Sequence, residues 1–252
     1  MASASRSRSA LIFTYKATVR PLLLRLFGFL NRRCEKHAGG IDRPVFYSVT
    51  KTYPSLQILE QNFDIIRDEL LAILPQLEGM PRYHDIDHYQ NEISGGSERN
   101  WRVFMLDVVG QAPPAAERAC PKTIKLLQKI PYVNQAFFSI LDAGKSIPAH
   151  DGVYCGYLRY HLGMIVPSEN PPQLRVKNEF YTWREGEGVL FDDSWNHEVL
   201  NESSGIRVVL LVDVLRPLPR LTHLLNLAWT RGVGYFYANN VISKLDDFSI
   251  SR

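Results

Sequence analysis

The amino-acid sequence predicts a mainly β domain of jelly-roll type, a sandwich or a barrel, with helices on its flanks. From residue 132 onward, about seven short strand-like runs follow one another, with Gly, Pro, Asn or Ser between them. That spacing is typical of sandwiches and barrels, in which each strand turns back beside a neighbour. The chain of 252 residues, 45% of them hydrophobic, is long enough for such a domain and an appendage.

Positive charge is concentrated at the start of the chain. Residues 1–36 hold eight Lys or Arg and one acid, a net charge of +7, which leaves −4 for the other 216 residues. A body of that charge offers no basic surface for phosphates, so we expect no nucleic-acid partner. The three cysteines are scattered without a C-x-x-C pair, which predicts a reducing compartment, the cytoplasm, and no disulfide framework.

Three interpretations stay open for the N-terminal segment. Residues 1–10 are rich in Ser, Arg and Ala, which predicts disorder. Three basic residues interrupt the mostly apolar run 11–30 and Pro21 breaks it, so a membrane-spanning helix is not expected. The run is then a helix packed on the body, an amphipathic segment contacting a membrane surface through residues 11–33, or a targeting segment.

Helices and loops are predicted between this segment and the strands. Residues 34–54 are predicted to form a loop, and a helix is predicted to start at Tyr53-Pro54-Ser55. Pro75 and Pro81 are expected to close that helix, and residues 76–100 are polar and turn-rich, with a loop tip at Gly95-Gly96-Ser97. The helix is predicted from apolar residues at spacings of three and four: Leu56, Leu59, Phe63, Ile66, Leu70 and Ile73.

The predicted strands begin with a buried one at 101–109, and a short helix follows at 121–129. A turn at 142–145 comes after the next strand. A helix at 220–231 and an aromatic, then polar, tail end the chain. The strands of the β-rich part are predicted at 135–141, 156–166, 173–177, 180–184, 188–192, 196–200 and 206–215.

Two histidines, 47 residues apart, stand at the ends of predicted strands. His150 follows a tight turn, and His197 follows the polar run that contains Asp192 and Asp193. Each histidine precedes, by about ten residues, an arginine inside a strand-like run. Imidazoles hold iron(II) and a guanidinium holds an oxo acid, so the pattern suggests a metal site beside a carboxylate site. The two aspartates either cap a turn or orient the metal ligands.

The arginine after His197 requires an anionic partner. Arg207 lies in an apolar strand, where a guanidinium without a partner costs several kcal/mol. The partner is either a protein carboxylate, such as Glu198 or Asp213, or the distal carboxylate of 2-oxoglutarate, which arginine binds with two prongs. Arg159 and His161 alternate along their strand, so they share one face and also require an anion.

Read together, these residues resemble the aspartyl/asparaginyl β-hydroxylase family of iron(II)- and 2-oxoglutarate-dependent dioxygenases, over roughly residues 55–217. The resemblance is densest in FFSILDAGKSIPAHDG, LRYHLGMIVP, WREGEGVLFDDSWNHEV and RVVLLVDVLRP. It implies a double-stranded β-helix, a cupin-like jelly roll, that uses O2 and has no catalytic residue beyond the metal site. It also implies iron(II) on His150 and His197, the distal carboxylate of 2-oxoglutarate on Ser139 and Arg207, and its proximal end near Arg159 and His161.

The position two residues after His150 separates members of this group. Many iron(II) oxygenases have a carboxylate there, whereas this chain has Gly152. Asp151 is adjacent to His150, and neighbouring side chains of an extended segment point to opposite faces, so we expect Asp151 to point away from the metal. The resemblance implies two histidines completed by water, as in the peptide-acting branch. The N-terminal segment and the helical tail are more similar to the branch that acts on lipid acyl chains.

The expected activity is hydroxylation of an unactivated carbon, with the β-carbon of Asp or Asn in a peptide or protein as the favoured target. A lipid acyl chain of lipid A type or a free amino acid is the alternative substrate. The alternative of another class is a non-catalytic cupin-like binding protein, which has no reason to keep buried cations. The predicted divisions are 1–50 for the basic amphipathic segment, 51–217 for the dioxygenase domain and 218–252 for the helical tail.

Overall fold

Two antiparallel sheets and the helices around them make up the part of the chain that the computed structural model describes, residues 20–87, 90–94, 98–245 and 248. The strands are β1 (Phe46–Tyr47), β2 (Trp101–Val108), β3 (Val133–Leu141), β4 (Ile147–His150), β5 (Tyr157–Ile165), β6 (Gln173–Val176), β7 (Glu179–Thr182), β8 (Gly188–Phe191), β9 (His197–Leu200) and β10 (Arg207–Leu215). The helices are α1 (Arg20–Ala38), α2 (Val49–Thr52), α3 (Gln57–Gln61), α4 (Phe63–Ile73), α5 (Tyr83–Ile86), α6 (Asn91–Ser94), α7 (Pro114–Ala119), α8 (Pro121–Leu127) and α9 (Arg220–Leu245).

The larger sheet has the strand order β1-β8-β5-β10-β3-β2, and the smaller one has the order β4-β9-β6-β7. The predicted jelly roll is therefore confirmed. One core lies between the larger sheet and the helices that cover it, and a second core lies between the two sheets. The central strand β10 of the larger sheet is buried on both faces, which explains its nearly continuous run of apolar residues.

The alternation of side chains along a strand decides which residues meet between the sheets. In β10, Val208 and Leu210 join the core under the helices, whereas Val209 and Leu211 join the core between the sheets. Arg207 lies two residues before Val209, so its side chain also projects between the sheets. The same rule brings further polar side chains to that interior face: Ser139 from β3, Arg159 and His161 from β5, and Asp213 from β10.

The helical part before the strands differs from the prediction. One continuous helix is predicted from residue 55, but the structure divides it at Asn62, whose side-chain Nδ2 donates a hydrogen bond to the carbonyl oxygen of Ile58 at 2.8 Å. The α-helix ends at Ile73, two residues before Pro75 as predicted, and the chain continues as a 3-10 helix over Leu74–Gly79. Two further 3-10 turns lie at Gly40–Asp42 and Pro54–Leu56.

Two predicted loops contain regular structure. The prediction of a loop over 34–54 is wrong, because α1 runs to Ala38 and β1 and α2 follow. The turn-rich region 76–100 contains α5 and α6, and its predicted tip at Gly95-Gly96-Ser97 lies outside the described residues. The short helix α7 and the short strand β4 were not predicted, whereas the predicted strands agree with the structure to within about two residues at their ends.

The two terminal helices pack on each other. Thr222 of α9 bonds to the side chains of Arg33 and His37 of α1, at 2.9 and 2.7 Å. Pro21 does not break α1 but lies in its first turn, where proline is tolerated. The helix predicted at 220–231 continues to Leu245. None of the described helices is long and apolar enough to cross a membrane.

Candidate functional site

The pairing of β4 with β9 places the two predicted metal ligands opposite each other. His150 and His197 are partners in the strand register, and their ring centroids are 4.2 Å apart. Each Nδ1 lies near the carbonyl oxygen of the residue two positions earlier, at 2.9 Å for Pro148 and 2.8 Å for Trp195. This geometry assigns the proton to Nδ1, so each Nε2 keeps a lone pair that can bind a metal.

Both imidazoles are neutral at ordinary pH. Burial, and next to it the neighbouring His150, lowers the pKa of His197 to about 3. Burial also lowers the pKa of His150. A neutral ring is the form that coordinates a metal ion, so these residues fit an iron(II) site.

Position 152 leaves no space for a third ligand. A Cβ added to Gly152 would lie 2.4 Å from the carbonyl oxygen of Asp193, to which the Gly152 N–H donates a hydrogen bond at 3.1 Å. Asp151 is exposed, and its Oδ1 accepts a hydrogen bond from Nδ2 of Asn196 at 3.0 Å. Among the described residues, no group of three or more His, Cys, Asp or Glu side chains is arranged to hold a metal ion.

Arg207 is a buried cation without a protein carboxylate. Its side chain is 1% exposed, and it forms no ion pair with any described acid. Its Nη1 lies 3.4 Å from the Ser139 Oγ and 3.5 Å from the Ser139 carbonyl oxygen, which are long, weak contacts. The guanidinium stacks on Trp183, with its Cζ 4.4 Å from the ring centroid. The Ser139 Oγ also accepts a hydrogen bond from Nε1 of Trp101 at 2.9 Å.

The two protein carboxylates considered as partners of Arg207 are bound to other residues. Glu198 pairs with Arg175, and Asp213 pairs with Arg159. Burial lowers the pKa of Arg207 to about 9, with no acid to offset the loss of hydration. The alternative of a protein carboxylate is therefore wrong for the described part of the chain.

His161 adds a second unsatisfied group to the same cavity. Neither ring nitrogen of His161 has a hydrogen-bond partner among the described residues, and the Nε of Arg207 has none. Burial, and next to it the charge of Arg207, lowers the pKa of His161 well below its ordinary value, so the ring is neutral. Buried polar groups normally have partners, so this pair indicates a polar ligand. The cavity is lined by Ser139, His150, Arg159, His161, His197 and Arg207, together with apolar side chains.

Arg159 already has protein anions. Its Nε and Nη2 bind Asp213 at 2.8 and 2.9 Å, and its Nη1 lies 3.0 Å from the Oδ2 of Asp193. The register of β5 and β10 explains the first contact, because Arg159 and Asp213 are cross-strand partners. Arg159 and His161 were expected to require an anion, and for Arg159 the protein supplies it through Asp213 and Asp193. A contact of Arg159 with 2-oxoglutarate stays a prediction.

Asp192 caps a turn and also holds the surroundings of the site. Its Oδ1 accepts a hydrogen bond from the Ser194 N–H at 3.1 Å, as expected for a capped turn. Its Oδ2 binds the Nε of Arg43 at 2.8 Å and the Nη2 of Arg216 at 2.7 Å. These contacts fix the turn whose backbone, at Asp193, fills the space beside Gly152.

Sequence reasoning missed two tryptophans of the site. Trp183 follows β7 in the smaller sheet, yet it contacts Arg207 and stacks on His161, with ring centroids 5.8 Å apart. Trp101 starts β2 and binds Ser139 from the neighbouring strand. Both contacts depend on long-range strand pairing, and no local spacing in the sequence signals them.

Comparisons with known proteins find similarity to hydroxylases. A family model described as aspartyl/asparaginyl beta-hydroxylase matches residues 60–217. An ornithine lipid ester-linked acyl 2-hydroxylase of Rhizobium tropici is 38% identical over 189 residues, which cover 75% of this chain and 66% of that protein. The aspartyl/asparaginyl beta-hydroxylase of Homo sapiens is 35% identical over 164 residues, covering 63% and 21%. The matched part thus spans less than two thirds of either relative.

Proposed function

The chain belongs to the aspartyl/asparaginyl β-hydroxylase family, and from that premise we propose that it is an iron(II)- and 2-oxoglutarate-dependent hydroxylase of an unactivated carbon. The observation that carries this proposal is that Arg207 is buried and its Nε has no hydrogen-bond partner among the described residues. A buried guanidinium with no acid partner among the described residues, beside an unsatisfied imidazole, fits a ligand that brings its own carboxylate. The paired histidines in the same cavity support a metal next to that ligand.

Each side chain has a distinct part in this proposal. His150 and His197 would hold iron(II) through Nε2, with their Nδ1 protons bound to backbone carbonyls. Arg207 and the Ser139 hydroxyl would bind the distal carboxylate of 2-oxoglutarate, and His161 would donate to the same ligand. Iron(II) and 2-oxoglutarate, when bound, supply the activation of O2 that hydroxylates a C–H bond.

The walls of the cavity help to keep water out. The side chains of Leu174, Phe191 and Val199 are buried around it, and Trp183 covers Arg207 from one side. In a water-poor cavity, the attraction between Arg207 and a carboxylate is stronger than in solution. The protein therefore orients the ligand and limits side reactions, while the metal and the cosubstrate carry the oxidation.

Two substrate classes are candidates for the hydroxylated carbon. The β-carbon of a peptidyl Asp or Asn is supported by the family and by the human relative. A lipid acyl chain is supported by the Rhizobium tropici relative, whose match covers more of this chain, and by a large apolar groove between α1 and α9. We also propose a reducing compartment, supported by three free, buried cysteines, Cys34, Cys120 and Cys155.

The test of the cofactors does not need the substrate. The full chain is incubated without oxygen with iron(II), and 2-oxoglutarate is added while the visible spectrum is followed. We expect the weak charge-transfer band of the metal-bound oxo acid, and no band with succinate, which has no keto group to chelate the metal. A chain that binds iron(II) but gives no band with 2-oxoglutarate would contradict the proposed cosubstrate and favour a non-catalytic binding protein.

A further inference from the structure

The first half of α9 is amphipathic in the reverse of the usual sense. Its buried side chains are polar and spaced four residues apart: Thr222, Asn226 and Thr230. Its exposed side chains include Leu221 and Leu224, which are 61% and 60% exposed. A helix on a water-soluble protein normally buries its apolar face and exposes its polar one. The outer face of α9 is thus suited to an apolar environment.

The polar inner face is bound to the body of the protein. Asn226 donates from Nδ2 to the carbonyl oxygen of Gly156 at 2.6 Å and accepts from the hydroxyl of Tyr154 at 2.7 Å. Thr222 accepts a hydrogen bond from the Nε of Arg33 at 2.9 Å. These buried contacts determine which face of α9 turns inward, so the apolar residues cannot be buried by rotating the helix without leaving polar groups unpaired.

The exposed apolar surface is concentrated on the two terminal helices. Of the seventeen exposed large hydrophobic side chains among the described residues, ten lie on α1 and α9. Such a concentration marks an interaction surface, whereas single exposed apolar residues do not. The ten are Leu22, Leu24, Leu26, Phe29, Leu221, Leu224, Leu225, Val233, Tyr235 and Phe236.

A wide apolar groove runs between the same helices. Its volume is about 780 Å³, and its lining side chains are apolar, among them Leu26 and Phe29 of α1 and Trp229 and Phe236 of α9. We call α1, α9 and this groove the docking face. A groove of this size and composition fits hydrocarbon better than a polar ligand.

The docking face is strongly basic. α1 has a net charge of +4 and α9 of +3, with no acid in α9, although the whole chain has only +3. The single acid of α1, Glu35, is paired with Arg43. Arg25, Arg32 and Arg220 are exposed beside the apolar residues. A surface that combines apolar side chains with unpaired cations matches the interface of an anionic bilayer.

We infer that the docking face binds the surface of an anionic lipid bilayer, with its apolar side chains among the acyl chains and its arginines at the headgroups. Charge repulsion opposes the two nearest alternatives, a second copy of the chain and the residues before α1. A second copy would bring together two helix pairs of net charge +7 each, and the preceding residues 1–19 hold three basic residues and no acid. In this arrangement α1 and α9 lie along the surface of the bilayer, as amphipathic helices do.

Vesicle binding tests this interaction separately from any turnover. The full chain is sedimented with vesicles of phosphatidylcholine alone or mixed with phosphatidylglycerol, at low and at high salt. We expect binding to the anionic vesicles at low salt and release at high salt. The triple variant Arg25→Gln, Arg32→Gln, Arg220→Gln should bind about a hundredfold more weakly, because each basic residue contributes about fivefold.

Matched variants on other elements provide the control. Lys122, Lys125 and Lys129 are also exposed, on and after α8, and their change to Gln should leave binding within about twofold. The apolar part is tested with Leu224→Gln and Phe236→Gln together, against Leu71→Gln and Phe180→Gln, which are 46% and 57% exposed in the wild type. We expect at least about a tenfold loss for the first pair only.

Three outcomes would overturn the assignment. The first is equal sedimentation with neutral and anionic vesicles or with neither. The second is unchanged binding of both docking-face variants, which would assign membrane contact to another part of the chain. The third is a dimer, measured by light scattering without vesicles, that the apolar variant dissociates. That result would show that the face joins two copies instead.

Discussion

The carboxylate of Asp213 binds the guanidinium of Arg159 at two points, with Oδ1 2.8 Å from Nε and Oδ2 2.9 Å from Nη2. Asp213 is 1% exposed, so its removal leaves a buried cation with Asp193 as its remaining acid. We expect Asp213→Ala to lower the free energy of unfolding by about 3–5 kcal/mol. Urea denaturation followed by circular dichroism measures the change.

Glu78 gives the matched control for this prediction. It also pairs with a buried arginine, Arg102, at 2.8 Å, but its own side chain is 86% exposed. Arg102 keeps a second acid, Asp142, at 3.0 Å. Glu78→Ala should therefore cost less than about 1 kcal/mol. Equal losses for the two variants would mean that burial does not determine the strength of these pairs.

Arg207→Lys should weaken the binding of 2-oxoglutarate. Lysine keeps a positive charge in water but lacks the two-pronged donor geometry, and burial at this position favours its neutral form. We expect the 2-oxoglutarate concentration required for half-maximal formation of the anaerobic iron(II) complex to rise about tenfold or more. The measurement is a titration of the charge-transfer band.

Arg102→Lys is the control for that titration. Arg102 is also largely buried, but it lies outside the cavity and binds protein acids. Its change should leave the 2-oxoglutarate requirement unaltered. If Arg207→Lys has no larger effect than Arg102→Lys, the buried guanidinium does not bind the cosubstrate.

Asp151→Ala should retain iron(II), whereas His150→Ala and His197→Ala should lose it. Asp151 is exposed and bound to Asn196, whereas both histidines bond to backbone carbonyls through Nδ1, which leaves Nε2 as the metal-binding nitrogen. Iron(II) titration under anaerobic conditions measures the affinity of the three variants. If Asp151→Ala loses the metal as completely as His150→Ala, a site of two protein ligands is wrong.

Gly152→Ala should destabilise the protein. The added Cβ would lie 2.4 Å from the Asp193 carbonyl oxygen, and backbone has to move to relieve that contact. We expect a loss of about 1–3 kcal/mol in the free energy of unfolding, measured in urea. Gly232→Ala is the control, because no atom lies within 4 Å of its added Cβ, and it should gain about 0.5–1 kcal/mol in the helix.

The sequence was most informative where side chains alternate along long strands. In β5 and β10 this alternation predicts that Arg159 and His161 share a face, and the structure brings Arg207 to the same space between the sheets. The partner of Arg159 was not predictable in the same way. The pairing of Asp213 with Arg159 depends on which strands are neighbours and in what register, and no local pattern specifies either.

Short or interrupted elements were harder to predict. β4 has four residues and contains Pro148, which is tolerated there because β4 is an edge strand of the smaller sheet. The helix predicted to end at residue 231 continues as α9 through Gly232 and Gly234. Gly234 permits close packing, because a Cβ there would lie 3.1 Å from the side chain of Val109.

The segment after His150 is tied to both terminal helices. Asn31 of α1 donates from Nδ2 to the carbonyl oxygen of Val153 at 3.3 Å, and the hydroxyl of Tyr154 donates to Asn226 of α9 at 2.7 Å. A displacement of either helix therefore acts on a segment that begins three residues after His150, a proposed metal ligand. Thermodynamic reciprocity sets the consequence: if adsorption of the helices alters the affinity of the site for its ligands, those ligands alter the adsorption by the same factor.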